Sequence, residues 1–409
     1  AERAYRQVAA TQPDQVEALR FFANAALARG NPGEAVAVLS HAARVDRSNT
    51  GVLLELGLAY RSAQRLDEAR SVFELILESS KGRNTTARLL MANVLEQDKR
   101  TEPALLNYFR AIIDAQSEGQ WLNDATTEPG LRRLVQHAMR YVATERRKLF
   151  ESVLEPLRHG IDAARLGRVD TALAVYLRDR IEPPADPRQK TTFLYIPDLG
   201  TQRFLDTASF DWLPRWSART CSLNDEAQAC LEIFAKNHDS SPFSLASMTA
   251  GGGTDAALAM VRQVPVYQRG ILVDAIRDHA PALIENLDAA PLVSIPNYAP
   301  DVSILALQPG ARTTPRYGRT NAFCTIVIAF SGSAPIEVTV GGDPCRLQAT
   351  ESLAFDPSFE FELSATGDSP ALMLVFDVWN PGVSTLERDA LIALTTVVVN
   401  FDARLQDLA

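Results

Sequence analysis

Histidine is rare in this 409-residue chain: five occur, and none follows His279. Any domain formed by the C-terminal part therefore has no imidazole to offer a metal ion or a proton relay. Cysteine is equally sparse. Cys221, Cys230, Cys324 and Cys345 are far apart, with no CxxC pair, which excludes a zinc-type spacing and a disulfide framework and is expected of reduced thiols in the cytoplasm. Positive charge is in deficit, 41 Lys and Arg against 50 Asp and Glu for a net charge of -9. Nucleic acid and anionic membrane are thereby excluded as main partners, since both need clustered basic groups. The longest apolar run, near residues 391–401, is too short to span a bilayer, and no signal peptide opens the chain. There is no GxSxG elbow. Gly251-Gly252-Gly253-Thr254 lacks the lysine of a P-loop and reads as a flexible loop. His238-Asp239-Ser240-Ser241 holds triad residue types without triad geometry. The chain begins inside a repeat, so an upstream segment is expected to have been removed before Ala1.

What is present is a repeat. Ala35 and Ala69 lie 34 residues apart, as do Ala23 and Gly57, Ala26 and Tyr60, and Leu39 and Phe73. A further unit, offset by one residue, supplies Ala92, Leu95, Ala104 and Tyr108, and Ala1, Tyr5, Val8 and Pro13 fit the second helix of an earlier one. Small residues fall where paired helices touch, and Gly30-Asn31-Pro32-Gly33 supplies a turn. The array resembles tetratricopeptide repeats, which stack helix pairs into a solenoid. Two roles stay open for it: a structural or dimerising spacer, or a groove for a peptide or partner protein.

Residues 131–180 are helix-like, with Leu131, Leu134, Ala138, Tyr141 and Val142 at three-to-four spacing. The run Glu145-Arg146-Arg147-Lys148 reads as a solvated helix side beside Glu151 and Glu155. Glu182-Pro183-Pro184-Ala185-Asp186-Pro187 breaks the pattern and marks a linker. Beyond it come Thr192-Phe193-Leu194-Tyr195-Ile196-Pro197-Asp198-Leu199, a strand entry, and Phe210-Asp211-Trp212-Leu213. Further motifs are Pro291-Leu292-Val293-Ser294-Ile295-Pro296, Leu307-Gln308-Pro309-Gly310 and Gly318-Arg319-Thr320-Asn321. Phe355-Asp356-Pro357-Ser358-Phe359-Glu360, Phe376-Asp377-Val378-Trp379-Asn380-Pro381 and Leu386-Glu387-Arg388 complete the series. In this order and spacing they resemble the bacterial tetratricopeptide-linked members of the aspartyl/asparaginyl β-hydroxylase family, across nearly the whole chain.

Candidate strands are residues 302–307, 322–330, 336–340, 352–355, 359–363 and 372–378, with a tight turn at Gly341-Gly342-Asp343-Pro344. Ser384 and Glu387 form a capping-box start for a closing helix. Short strands at this spacing suit a jelly roll, and the resemblance implies the same fold. The expected class is multidomain α+β: an all-α solenoid over 1–115, a helical connector over 116–188, and a double-stranded β-helix (cupin-like) domain with flanking helices over 189–409.

The family resemblance implies Fe(II) held by two histidines, with 2-oxoglutarate as cosubstrate. The implied ligand positions are Arg316, in Pro315-Arg316-Tyr317-Gly318, and Phe361, after Phe359-Glu360. Arginine keeps its proton and repels a dication, and phenylalanine has no lone pair. The implied cosubstrate arginine falls on Ala371, and the implied polar contacts fall on Thr325 and Val327. Asp356, Glu360 and Asp377 are carboxylates a hard cation would accept, but Asp356 and Glu360 belong to the family's own motifs and are expected to be structural. Arg312, Arg316 and Arg319 share one loop and are either an anion site or a filling of the vacated metal space. His41, His137 and His159 sit in helical segments as ordinary residues.

The expectation is a cytoplasmic pseudoenzyme with no metal or cofactor, binding a protein or peptide through its repeats and barrel cleft. Two rivals remain. One is a 2-oxoglutarate- and Fe(II)-dependent dioxygenase hydroxylating Asp or Asn side chains with atypical ligands. The other is a subunit supporting an active paralogue.

Overall fold

The computed structural model describes residues 2–160, 162–236 and 260–408. The glycine loop at 251–254 and the stretch 238–241 lie outside them. The described residues form two compact units, 1–151 with 400–409, and 152–399. The stretch expected as a connector is thus shared between them, 116–151 with the first and 152–188 with the second.

The first unit is built of antiparallel helices α1 (Glu2–Thr11), α2 (Val16–Ala28), α3 (Pro32–Val45), α4 (Thr50–Ser62), α5 (Leu66–Ser79), α6 (Thr85–Gln97), α7 (Thr101–Ser117) and α8 (Arg132–Ser152). Helices α2 and α4, and α3 and α5, start 34 residues apart, as the apolar period requires. Asn31, Asn49 and Asn84 cap α3, α4 and α6 through side chains that accept from backbone amides, satisfying donors the helix itself leaves open. The period is conserved in volume as well as in position. Ala23 meets Leu39 in one unit and Gly57 meets Phe73 in the next, and Ala23, Leu39 and Phe73 are fully buried. A Cβ on Gly57 would come within 2.5 Å of the Phe73 ring, so the larger ring requires the smaller partner. Polar pairs join the first helices of successive units: Arg20 with Glu55, Arg61 with Asn93, and His137 with Glu96. The basic run on α8 is solvated only in part: Lys148 is exposed and lies 2.7 Å from Glu145, whereas Arg146 packs over the Phe109 and Phe150 rings.

The second unit is a sandwich of two antiparallel sheets. Its strands are β1 (Phe204–Leu205), β2 (Val261–Gln268), β3 (Ile271–Leu272), β4 (Val302–Leu307), β5 (Phe323–Ala329), β6 (Ile336–Val340), β7 (Asp343–Leu347), β8 (Ser352–Phe355), β9 (Phe361–Ala365) and β10 (Ala371–Trp379). The larger sheet runs β1-β8-β5-β10-β4-β2-β3 and the smaller β7-β6-β9. Side-chain alternation along β10 sorts two cores. Leu372, Leu374, Phe376 and Val378 face the flanking helices, and Ala371, Met373 and Val375 face the smaller sheet. Helix Leu213–Lys236 covers the outer face, where Trp212 and Trp216 flank the Phe376 ring at 6.0 and 5.7 Å. This is the packing task of the Phe-x-Trp-Leu motif.

Several expected strands shift. The segment expected at 359–363 becomes Phe361–Ala365, because the Asp356 turn still holds the Phe359 amide at 3.4 Å. The turn at 341–344 needs only Gly341 and Gly342, both at positive φ; Asp343 and Pro344 already belong to β7, an edge strand where a missing amide is tolerated. The entry at Thr192-Pro197 forms a single parallel bridge, Leu194 to Thr320, instead of a strand. Strands β1, β2, β3 and β7 were not anticipated: β1 and β3 have only two residues, β2 carries Pro265 and a bulge, and β7 is an exposed edge strand that opens with Asp343-Pro344.

Candidate functional site

The motif loop lies along the free edge of β9. The Thr313 amide donates to the Leu363 carbonyl at 2.8 Å, and the Leu363 amide returns to Thr313 Oγ1 at 2.9 Å. Further along, the Arg316 amide donates to the Phe361 carbonyl at 3.1 Å and the Phe361 amide to the Arg316 carbonyl at 2.8 Å. Arg316 and Phe361 are therefore directly opposed neighbours of an antiparallel pair, with side chains on one face. Two motif contacts fix this loop. A Cβ on Gly318 would lie 2.6 Å from Pro357 Cβ, and the buried Asn321 side chain exchanges two 2.7 Å hydrogen bonds with the Ile196 backbone. Asp356 accepts from the Ser358 amide and from Gln189 Nε2, so it ties turns together as its motif role suggested.

The Arg316 guanidinium stacks on the Phe361 ring, 4.8 Å from its centroid. Its Nη1 is buried and has no hydrogen-bond partner. Burial pushes its pKa down to about 10, the charge of Asp377 opposing, so it stays protonated at neutral pH. Asp377 stands on the inner face of β10, where Thr325 Oγ1 donates to Oδ1 at 2.7 Å. Burial pushes the Asp377 carboxyl up to about 6, against Thr325 and the charges of Arg319 and Arg316. The three loop arginines separate. Arg312 is exposed and pairs with Glu362 at 3.5 Å. Arg319 pairs with Asp301 at 3.0 Å, donates to the Tyr298 carbonyl at 3.1 Å and stacks on the Tyr298 ring at 4.7 Å. Arg316 alone of the three pairs with no carboxylate. Tyr298 and Asp301 escaped the sequence reading, although the Pro291-to-Pro296 motif leads straight to them.

Of the implied cosubstrate positions, Thr325 joins this cluster. Val327 and Ala371 lie deeper, fully buried in the apolar interior between the sheets beside Leu305, Met373 and Val375. The residues present do not fit Fe(II) with 2-oxoglutarate. A protonated guanidinium and a phenyl ring stand at the two ligand positions, and a charged cosubstrate would have to replace packed aliphatic side chains. Among the described residues no group of three or more His, Cys, Asp or Glu gathers to hold a metal ion.

The Asp377 carboxyl carries a stability consequence. Its folded pKa is raised, so its contribution favours folding below the unfolded value near 4 and is lost as pH rises through about 6. Asp377→Asn is expected to stabilise the protein by about 1–2 kcal/mol at pH 7.5, allowing for the solvent that reaches the group, and by nothing near pH 4. Urea denaturation at the two pH values checks this, and an equal difference at both would show that the charge is not the cause.

A helical-repeat unit joined to a two-sheet β-sandwich with a motif-lined loop at one edge defines the architectural class. Comparison with known proteins names its parts. Residues 220–381 match the aspartyl/asparaginyl beta-hydroxylase family model, and residues 1–51, 22–84 and 54–119 match tetratricopeptide repeats. The chain therefore carries tetratricopeptide repeats and an aspartyl/asparaginyl β-hydroxylase-type domain. The rat aspartate beta-hydroxylase domain-containing protein 2 is 33% identical over 91 residues, 22% of this chain and 26% of that protein. The bovine aspartate beta-hydroxylase domain-containing protein 1 is 34% identical over 88 residues, 21% and 24% of the two chains. The chain thus spans about a quarter of the length of these relatives. Among solved structures, the cupin domain of an XRE-family transcriptional regulator from Enterobacter cloacae aligns with 29% of this chain and 97% of that one, at 13% identity and a TM-score of 0.21. No helix among the described residues is long and apolar enough to cross a membrane.

Proposed function

We propose that this chain is a non-catalytic aspartyl/asparaginyl β-hydroxylase-like protein that binds a protein or peptide partner through its repeats and its barrel cleft. The observation that carries the reading is the Arg316–Phe361 pair: the two side chains opposed across the strand pair supply a fixed cation and an aromatic ring where the family resemblance calls for metal ligands. Arginine at that place raises the cost of a dication rather than lowering it. The apolar filling around Val327 and Ala371 argues the same way for 2-oxoglutarate. Tetratricopeptide repeats are in general protein-interaction modules, and polar pairs such as Arg20–Glu55 and Arg61–Asn93 run between the first helices of successive units. The work of the molecule is then recognition, in the cytoplasm.

The test is metal analysis of the purified chain, with calorimetric titration of Mn(II) and then 2-oxoglutarate. The expected result is no stoichiometric metal and no binding heat. Stoichiometric metal together with micromolar affinity for 2-oxoglutarate would overturn the reading and return the chain to the dioxygenases that hydroxylate Asp or Asn side chains.

A further inference from the structure

We infer that the vacated iron position is a metal-free binding site for a carboxylate group, held by the guanidinium of Arg316 against the Phe361 ring. The inference rests on the non-catalytic reading above and deepens it by naming the ligand chemistry.

Arg316 has five N–H donors, and none finds an acceptor among the described residues; its Nη1 is both buried and unpartnered. Its loop neighbours show how unusual this is, since Arg312 pairs with Glu362 and Arg319 with Asp301 and the Tyr298 carbonyl. A partly buried guanidinium with every donor unused is costly to keep, and a ligand that satisfies it recovers that cost as affinity. The residue is half-buried and only Nη1 is among the buried unpartnered atoms, so the Nε–Nη2 edge is the one that reaches solvent. That edge presents two parallel donors, the geometry that takes a carboxylate in bidentate fashion.

The surroundings favour such a ligand. The Phe361 ring covers one face of the guanidinium and keeps water from that side, which strengthens a charge contact on the free edge. Asp377 offsets the cation only in part. It makes no direct ion pair with Arg316, and its Oδ1 is occupied by Thr325, so its charge reaches the guanidinium only through space. Arg319 also acts on Asp377 as a second cation, itself balanced by Asp301. A carboxylate entering here meets a guanidinium with no directly paired counter-ion. The carboxylate belongs either to a free small dicarboxylate or to an acidic side chain of a bound peptide.

The experiment titrates the full chain with succinate in buffer containing EDTA, by calorimetry and by thermal shift, with succinamide as the uncharged isostere. Succinate is expected to bind once per chain and raise the melting temperature, while succinamide does neither. Arg316→Gln should weaken succinate at least about tenfold, the order of one lost charge-assisted contact, and Arg312→Gln should leave it unchanged. A capped peptide with one central aspartate, compared with its asparagine counterpart, separates the sources: tighter binding than succinate assigns an acidic peptide, weaker binding a small dicarboxylate. Equal binding of succinate and succinamide to the wild-type chain, no binding of succinate or aspartyl peptide, or an Arg316→Gln variant that binds as well as wild type would each overturn the inference. The EDTA keeps the two claims apart. Carboxylate binding that appears only after Mn(II) is added defeats the metal-free reading itself, whereas its absence with and without metal defeats only the arginine site.

Discussion

Replacing Arg168 by alanine is expected to destabilise the sandwich unit by about 3 kcal/mol at pH 7, the order found when one partner of a buried ion pair is removed. The guanidinium grips Glu387 at both oxygens, Nε to Oε1 at 2.7 Å and Nη2 to Oε2 at 2.6 Å, and Nη2 also donates to the Gly382 carbonyl at 2.9 Å. Glu387 is buried, with 4% of its side chain exposed against 27% for Arg168. Its second task is the capping box at the start of helix Thr385–Gln406, accepting from the Ser384 amide and hydroxyl at 2.9 and 2.8 Å. Without Arg168 the carboxylate remains desolvated with only the cap to hold it. Burial pushes the Glu387 carboxyl up, and Arg168 and Ser384 outweigh it, leaving the group below its ordinary range. A depressed folded pKa means that the stabilisation is present above the unfolded value near 4 and is lost as pH falls through the folded one. The penalty of Arg168→Ala should therefore be full at pH 7 and shrink in acid, read by denaturant unfolding at pH 7 and pH 3.5. Identical midpoints for variant and wild type at pH 7 would show that the pair does not hold the unit together.

The capping half of that arrangement was legible in the sequence, because Ser384 and Glu387 stand at the spacing a capping box requires; the ion-pair half was not, because Arg168 is far away in the chain and no local pattern ties it to Glu387. The same division runs through the molecule. The repeat array was legible as a 34-residue period in small and large apolar positions, which calls for stacked helix pairs, although two residues of the expected turn, Pro32 and Gly33, already belong to α3. Strands β4, β6 and β8 came out with their observed bounds because their apolar or alternating runs end at turn residues. The short edge strands β1 and β3 carry too few residues to show a period of two. At the site, chemistry was easier than partnership. Residue type alone told what Arg316 and Phe361 cannot do, whereas the sorting of Arg312, Arg316 and Arg319 into two paired arginines and one unpaired depended on where Glu362 and Asp301 lie. Tyr298 and Asp301 stayed hidden because nothing in their local sequence announces a loop that folds back onto Arg319.

Substituting both Arg316 and Phe361 by histidine is expected to give a chain that holds stoichiometric Zn(II) or Co(II). The backbone already provides the arrangement. The two residues exchange both amide-to-carbonyl hydrogen bonds, so their side chains leave the strand pair on the same face as directly opposed neighbours, within the span that one tetrahedral or octahedral cation bridges. Removing the guanidinium deletes the repulsion, and the imidazoles add the two neutral donors. Asp377, whose charge already acts on Arg316, is the carboxylate at hand to complete a two-histidine, one-carboxylate set. Each single variant should fall short for a different reason. Phe361→His leaves the cation of Arg316 in place, and Arg316→His offers one imidazole against a phenyl ring. The double variant gives up the burial of Phe361, 5% exposed and 4.9 Å from the Phe355 ring, so it should melt below wild type without metal and recover on adding it. Cobalt absorption and metal analysis decide the outcome. Metal in the double variant alone means that the two substitutions are what separate this barrel from a metal site. No metal in a double variant that is folded means that the opposed pair is not placed to ligate one cation, and defeats the prediction.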